Sequence, residues 1–213
     1  MNQKKTAKAV FAALVSVCMM LAMLGGCSGE DASGSNPTEV ESVVGRQDGE
    51  RFEKVIMLEG MEETVKYEHV RNETVGFELD YEYESLERRG EPDHEQFISR
   101  FDDPAKPDNY LEVTFRSEDV DAVAEDFKAD LKKKYDSVIT EEQYMLDRAG
   151  SCVQISAYQA KKDKAPKDSM QTVYIIPAAN GCLIAAAHCT IESAEGFGAR
   201  FTYIINTISS LGR

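Results

Sequence analysis

Hydrophobic and polar positions change their period several times along the chain, and each change marks an element. Phe77, Leu79, Tyr81 and Tyr83 alternate with Glu78, Asp80, Glu82 and Glu84, a period of two that predicts a strand with one buried face and one acidic, solvated face. Tyr110 to Arg116 repeats the pattern through Leu111, Val113 and Phe115. Val153 to Tyr158, Gln171 to Pro177 and Cys182 to Ile191 predict three further strands. The last two are joined by a segment ending in Asn180-Gly181, a pair that favours a type I′ turn and therefore antiparallel pairing. Lys54 to Leu58 and Glu63 to Val70 read as weaker strands at the amino-terminal edge of the domain.

Two segments shift to a period of 3.6. In the first, Ser117 predicts an N-cap, Glu118 and Asp119 sit at the positive end of the helix dipole, and Lys132, Lys133 and Lys134 sit at the negative end. Its apolar stripe is Val120, Val123, Ala124, Phe127 and Leu131. In the second, Ser193 is placed to cap a helix that buries Phe197, Phe201, Ile204, Ile205 and Ile208 and runs almost to the end of the chain, with Gly196 and Gly198 weakening its first turn. Two amphipathic helices on a mostly antiparallel sheet make an α+β layered domain, expected over residues 52–213. Phe127, Leu131, Phe197, Phe201 and Ile204 are expected to fill the space between sheet and helices.

The amino-terminal pattern is different in kind. Lys4, Lys5 and Lys8 precede the apolar run Val10 to Leu24, then Gly25, Gly26 and Cys27 follow, with no acid among the first 26 residues. This is the layout of an export signal. A helix over that run reaches only about 22 Å, short of the thickness a permanent span must cross. Ser28 to Arg51, rich in Ser, Gly, Glu and Asp, reads as a solvated stalk with a reach of roughly 25 to 30 Å.

Leu24-Gly25-Gly26-Cys27 resembles the lipobox of bacterial lipoproteins, in which the cysteine thiol receives a diacylglyceryl group and becomes the first residue of the mature chain. The resemblance implies a signal peptide over residues 1–26, lipidation of Cys27, a flexible acidic linker over residues 27–51, and attachment to the cell membrane on its extracytoplasmic face. Acyl chains contribute about 0.8 kcal/mol per buried methylene, so two or three of them hold a protein on a bilayer durably.

A second resemblance comes from the order of elements. Gly76-Phe77-Glu78-Leu79-Asp80-Tyr81, the strand before Ser117 and the helix after it, the Ala149-Gly150 step into a strand, Thr172 to Ile176, and the final helix containing Phe201 are similar to the PsbP and Mog1 type of domain. That resemblance implies an α/β/α sandwich over about Val75 to Leu211 and an accessory or binding role rather than catalysis. Fold likeness alone is a weak warrant for function, and no binding motif of that family can be matched here residue by residue.

Charge narrows the partners. The chain carries 24 Lys and Arg against 38 Asp and Glu, and removing the signal takes away three lysines and no acid, moving the balance from −14 to −17. Nucleic acid is not an expected partner of such a body, because phosphate neutralisation needs clustered cations. An envelope or extracellular protein is the expected one.

Chemistry is sparse. His69, His94 and His188 are the only conventional bases, and none stands in a nucleophile elbow. His94 falls in the polar segment Glu91-Pro92-Asp93-His94-Glu95, read as an exposed loop or helix start; His188 reads as a packed or half-exposed strand residue and His69 as a strand surface residue. No phosphate-binding glycine motif occurs, and no cofactor is expected. Cys182 and Cys189 lie seven residues apart on one predicted strand, about 23 Å from each other and on opposite faces, so they share neither a metal ion nor a disulfide. Cys152 and Cys182 open two strands of the same direction; they bridge if the strand between them ends early, and otherwise stand about 9 to 10 Å apart as free thiols. No metal centre is expected. The acidic row Glu78, Asp80, Glu82 and Glu84 reads as a solvated sheet face, with a calcium or basic-protein site as the alternative, and Asp102 to Asn109 as a surface loop. Three functional classes therefore stand. The leading one is a tethered, non-catalytic binding module. Its rivals are a thiol-dependent hydrolase using Cys182, His188 or Cys189, and a carrier of small ligands.

Overall fold

A computed structural model describes residues 45–58, 60–166 and 168–212. The export signal, Cys27 and most of the stalk expected from the sequence lie outside these residues. In chain order the elements are β1 (Arg51–Leu58), β2 (Met61–Asn72), β3 (Phe77–Glu82), β4 (Leu86–Gly90), β5 (His94–Ser99), β6 (Tyr110–Arg116), α1 (Val120–Lys134), β7 (Tyr135–Leu146), β8 (Gly150–Ala160), β9 (Ser169–Ala178) and β10 (Gly181–Thr190). A π-helical turn (Ala194–Gly198), α2 (Ala199–Asn206) and β11 (Ser209–Ser210) complete the chain. The architecture is α+β with antiparallel sheets and two helices.

The strands form two sheets, not one. The larger has the order β4-β5-β6-β10-β9-β8-β7, and the smaller β1-β2-β3-β11. The amino-terminal strands expected at an edge thus build a sheet of their own. Side chains alternate across the large sheet and feed two cores. Leu111, Val113, Tyr174, Ile176, Leu183 and Ala185 join Phe77, Leu79, Tyr81 of β3 and Phe201, Ile204, Ile205 of α2 in the larger core. Val153, Ile155, Val173, Ile175, Cys182 and Ile184 point the other way, where Val123, Ala124 and Leu131 of α1 cover them. Phe127 and Phe197 pack at the margins of these cores, so the space between sheet and helices is filled as the sequence predicts.

Several boundaries move for physical reasons. Asp119, not Ser117, caps α1, its carboxylate accepting from the Asp121 N–H at 2.9 Å. Ser193 makes no capping bond; its hydroxyl turns instead toward Asn109 and Thr190. The second helix opens as a π-helical turn that contains both Gly196 and Gly198, and it stops at Asn206 because the next residues pair with β3. The folded body also begins earlier than residue 52. Arg46 lies over the Phe52 ring at 3.7 Å, and Asp48 accepts from the Arg71 N–H at 2.9 Å.

The β9–β10 hairpin is antiparallel, but its turn is not type I′. Ala178 pairs with Gly181, so Ala179 and Asn180 form the turn, and neither has a positive φ. Gly181 follows the turn with φ +146°, and a Cβ there would lie 2.1 Å from the Arg116 carbonyl oxygen and 2.7 Å from the Ser117 Cα. Glycine is required twice over, by its dihedral and by the approach of the β6 end. Gly181→Ala is expected to cost at least about 2–3 kcal/mol, read as a fall in the urea midpoint with unchanged slope; an unchanged midpoint contradicts this packing.

Candidate functional site

Polar positions at one end of the large sheet form a cleft. β10 is apolar from Cys182 to Ala187, and burial of both faces is what makes it so. At His188 the apolar run stops. His188 pairs with Tyr110 of β6 on one side and Gln171 of β9 on the other, so the three side chains form a row across the sheet, just past the end of the core beneath α1. The His188 and Tyr110 rings stack with centroids 4.3 Å apart.

Three connections rise around this row. The C-terminus of α1 is tied to the start of the β8–β9 loop, where the Lys161 N–H donates to the Lys134 carbonyl at 2.8 Å and the Lys161 ammonium to the Lys132 carbonyl. The β5–β6 loop is stapled by Asp102, whose carboxylate accepts from the N–H groups of Asp108 at 2.9 Å and Asn109 at 2.6 Å. Asn109 in turn accepts from Thr190 N–H at 3.3 Å, fixing this loop to the end of β10. The side chains of Asp102 and Asn109, at the two ends of the expected surface loop, therefore fasten it. Together these segments enclose about 400 Å³, with Lys106, Lys134 and Lys164 on the walls and Tyr110, Gln171 and His188 among the lining residues. Among the described residues none of the three lysines is within ion-pair distance of a carboxylate. Burial, reinforced by the Lys134 charge, lowers the pKa of His188 to about 4, so its ring is neutral near pH 7. Burial and the Glu112 charge push the Tyr110 phenol up to about 12, so it keeps its proton.

The acidic row is a second polar cluster, and only Glu84, beyond the end of β3, is exposed as the sequence suggests; the members on β3 are covered. Asp80 is 4 % and Glu82 5 % exposed, covered by cations from distant parts of the chain. Asp80 lies 2.7 Å from Nδ1 of His69 and 3.5 Å from Arg46; Glu82 pairs with Arg200 of α2; Glu78 accepts from Arg148 at 2.7 Å. Thr207 and Ser209 add hydroxyl contacts to Asp80 N–H and Glu78. His69 is correspondingly buried at 1 %, against the surface position its sequence context suggests. Its Nε2 has no hydrogen-bond partner and sits 3.9 Å from Glu78. An aspartate that orients an imidazole is a catalytic device only when the other ring nitrogen can reach a substrate. Here that nitrogen is sealed, and the cluster is a set of ion pairs closing the outer face of the small sheet.

Of the remaining residues singled out in the sequence, Cys189 lies at the lysine cleft beside His188 but is itself buried, and the others do not converge. His94 opens β5, paired with Thr114 and 2.8 Å from Asp93, rather than lying in a loop or helix. Cys152, Cys182 and Cys189 are all free. Cys152 belongs to the larger core and Cys182 to the core under α1, on opposite faces with β9 between them, so the bridge left open for this pair is not made. Burial raises the pKa of Cys152 and Cys189 to about 11 and that of Cys182 in the same direction. High-pKa, buried thiols are poor nucleophiles. The lysine cleft leaves no local motif in the sequence, because its residues are far apart along the chain. The available signal was density: eight of the fourteen lysines fall between positions 128 and 167.

Two outcomes follow from this geometry. Asp80→Ala removes a buried carboxylate that Arg46 and His69 both contact and is expected to cost about 3–5 kcal/mol in urea unfolding, whereas Glu84→Ala, at an exposed ion pair with Lys66, leaves the midpoint unchanged; equal effects contradict the buried assignment. Cys152, Cys182 and Cys189 are expected to resist iodoacetamide at pH 8 in the folded protein and to react within minutes in urea, as peptide mass spectrometry reads; rapid native labelling of any one contradicts their inert burial.

No family model matches the chain, and none of the curated proteins matches it. Among solved structures it is similar to a crystal structure of a protein from Bacteroides thetaiotaomicron VPI-5482, with 11 % identity and a TM-score of 0.38. That likeness covers 63 % of this chain and 44 % of the other, so the chain spans less than half the length of its structural neighbour. No helix among the described residues is long and apolar enough to cross a membrane.

Proposed function

We propose that this protein is an exported lipoprotein, anchored through Cys27, whose folded body is a non-catalytic binding module that takes its ligand in the lysine cleft. The observation that carries the binding role is the segregation of charge. A body with a net balance of −17 after signal removal gathers three lysines around one cleft of about 400 Å³, none of them within ion-pair distance of a carboxylate among the described residues. Like charges brought together in excess of their counter-charges destabilise a fold modestly, and a ligand of opposite charge relieves that cost. Loops held by a rigid sheet are the usual carriers of binding residues.

The anchor rests on Leu24-Gly25-Gly26-Cys27 and the lysine-flanked apolar run before it. The segment between Cys27 and Arg46, the first described residue that packs on the body, has the length expected to hold the body away from the bilayer. A PsbP or Mog1 type of domain, with helices on both sides of an antiparallel sheet, remains the reading of the head that the order of elements favours. The volume of the cleft favours one narrower version of the same role, a carrier of small ligands, since sites of about 300–1,000 Å³ commonly hold molecules of that size.

Anchoring is tested by fractionation and intact mass. The mature protein is expected in the membrane fraction with an acylated amino-terminal cysteine, and Cys27→Ala is expected to retain its signal and carry no acyl mass. An unacylated mature terminus, or one that begins elsewhere, contradicts the anchor.

A further inference from the structure

The lining of the lysine cleft specifies more than a sign of charge. Lys106, Lys134 and Lys164 come from three separate segments: the β5–β6 loop, the last turn of α1 and the β8–β9 loop. Among the described residues Asp108 is the one acid of the lining, so these residues give the wall a net charge of about +2 with His188 neutral, and no arginine is among them. A guanidinium offers a planar fork suited to carboxylates, whereas an ammonium acts as a compact point charge. Three point charges supplied by three separate segments suit a tetrahedral oxyanion better than a flat one. The row beneath them supplies neutral polar groups: among the described residues, no hydrogen bond engages the Tyr110 hydroxyl, the His188 ring nitrogens or the Gln171 amide. The stacked Tyr110 and His188 rings present polar atoms beside a flat apolar surface, the combination that seats the organic part of a ligand.

We propose that the cleft binds a small organic phosphate monoester, with its dianionic phosphate held among Lys106, Lys134 and Lys164 and its organic part over Tyr110, His188 and Gln171. The net charge of the wall matches a dianion, and the neutral imidazole can donate from one nitrogen and accept at the other. This inference deepens the binding-module reading and rests on its claim that the cleft is the binding site; it does not depend on the anchor.

The experiment is calorimetric titration of the full-length protein, extracted in a neutral detergent, with four probes at low and physiological salt: glycerol 3-phosphate, glycerophosphoglycerol, citrate and inorganic pyrophosphate. The expected result is saturable binding of glycerol 3-phosphate and pyrophosphate that weakens as salt rises. Glycerophosphoglycerol, a monoanionic diester with the chemistry of a lipid headgroup, is expected to bind at least tenfold more weakly. Lys106, Lys134 and Lys164 each sit on the surface, and the triple Lys→Gln variant is expected to keep its thermal midpoint to within about 4 °C while losing the phosphate affinity by tenfold or more. His188→Phe, which keeps a stacked ring but removes its polar atoms, is expected to lose several-fold. Tighter binding of citrate or of the diester, with the same dependence on the lysines, overturns the monoester assignment while leaving the cleft as a binding site. Absence of saturable binding by any probe, or binding unchanged in the triple variant, overturns the ligand class and the binding-site reading together.

Discussion

The fold depends on one strand being buried on both faces. β10 lies inside the large sheet between β6 and β9, and its side chains alternate between the core shared with the small sheet and the core under α1. Leu183 and Ala185 face one way, Cys182, Ile184 and Ala186 the other, and all five are at least nine-tenths buried. A shift in register by one residue moves every one of these to the wrong core, so the register of the whole sheet is strongly specified. The alanines matter as much as the large residues. Ala185, Ala186 and Ala187 are small where layers press on both sides, leaving room for Phe201 and Ile204 above and Leu131 below.

The same constraint locates the cleft. Burial on both faces ends where the covering layers end, and the first polar residue of β10, His188, marks that limit. Beyond it, the end of α1 is bound to the β8–β9 loop at Lys134, while the β5–β6 loop is closed by Asp102 and bound to the end of β10 through Asn109. The lysines therefore ride on fastened loops above a rigid row, a preorganised arrangement that lowers the entropic cost of binding. Lys134 also has a folding reason for its position, since a cation in the last turn of α1 opposes the negative end of the helix dipole.

Legibility in the sequence followed burial. β6, β8, β9 and β10 are strands with clean alternation or unbroken apolar runs, and their boundaries were readable to within a few residues because two cores impose the pattern. β4, β5 and β7 were not readable. β4 and β7 are the edges of the large sheet, β4 has only Leu86 buried, and β7 carries exposed Ile139 and Met145 and a register shift between Glu141 and Tyr144. A strand with little to bury leaves little trace in the pattern. The row Glu78, Asp80 and Glu82 misled for the opposite reason: alternation shows that a face is polar but not that Arg46, His69, Arg148 and Arg200, from four distant segments, will cover it. The cleft shares that difficulty. Its lysines are adjacent only in space, and the short runs that contain them look in sequence like helix-end and loop decoration.

The central claim is that the fastened loops at the end of β10 are where this protein meets its ligand. Amide hydrogen exchange, measured by mass spectrometry on the full-length protein with and without saturating pyrophosphate, tests it most directly. The account predicts slowed exchange confined to the β5–β6 loop, the last turn of α1 and the β8–β9 loop, with β10 already protected and unchanged. Slowing that falls instead on the small sheet around Arg46 and Asp80, or on none of these segments, would contradict it.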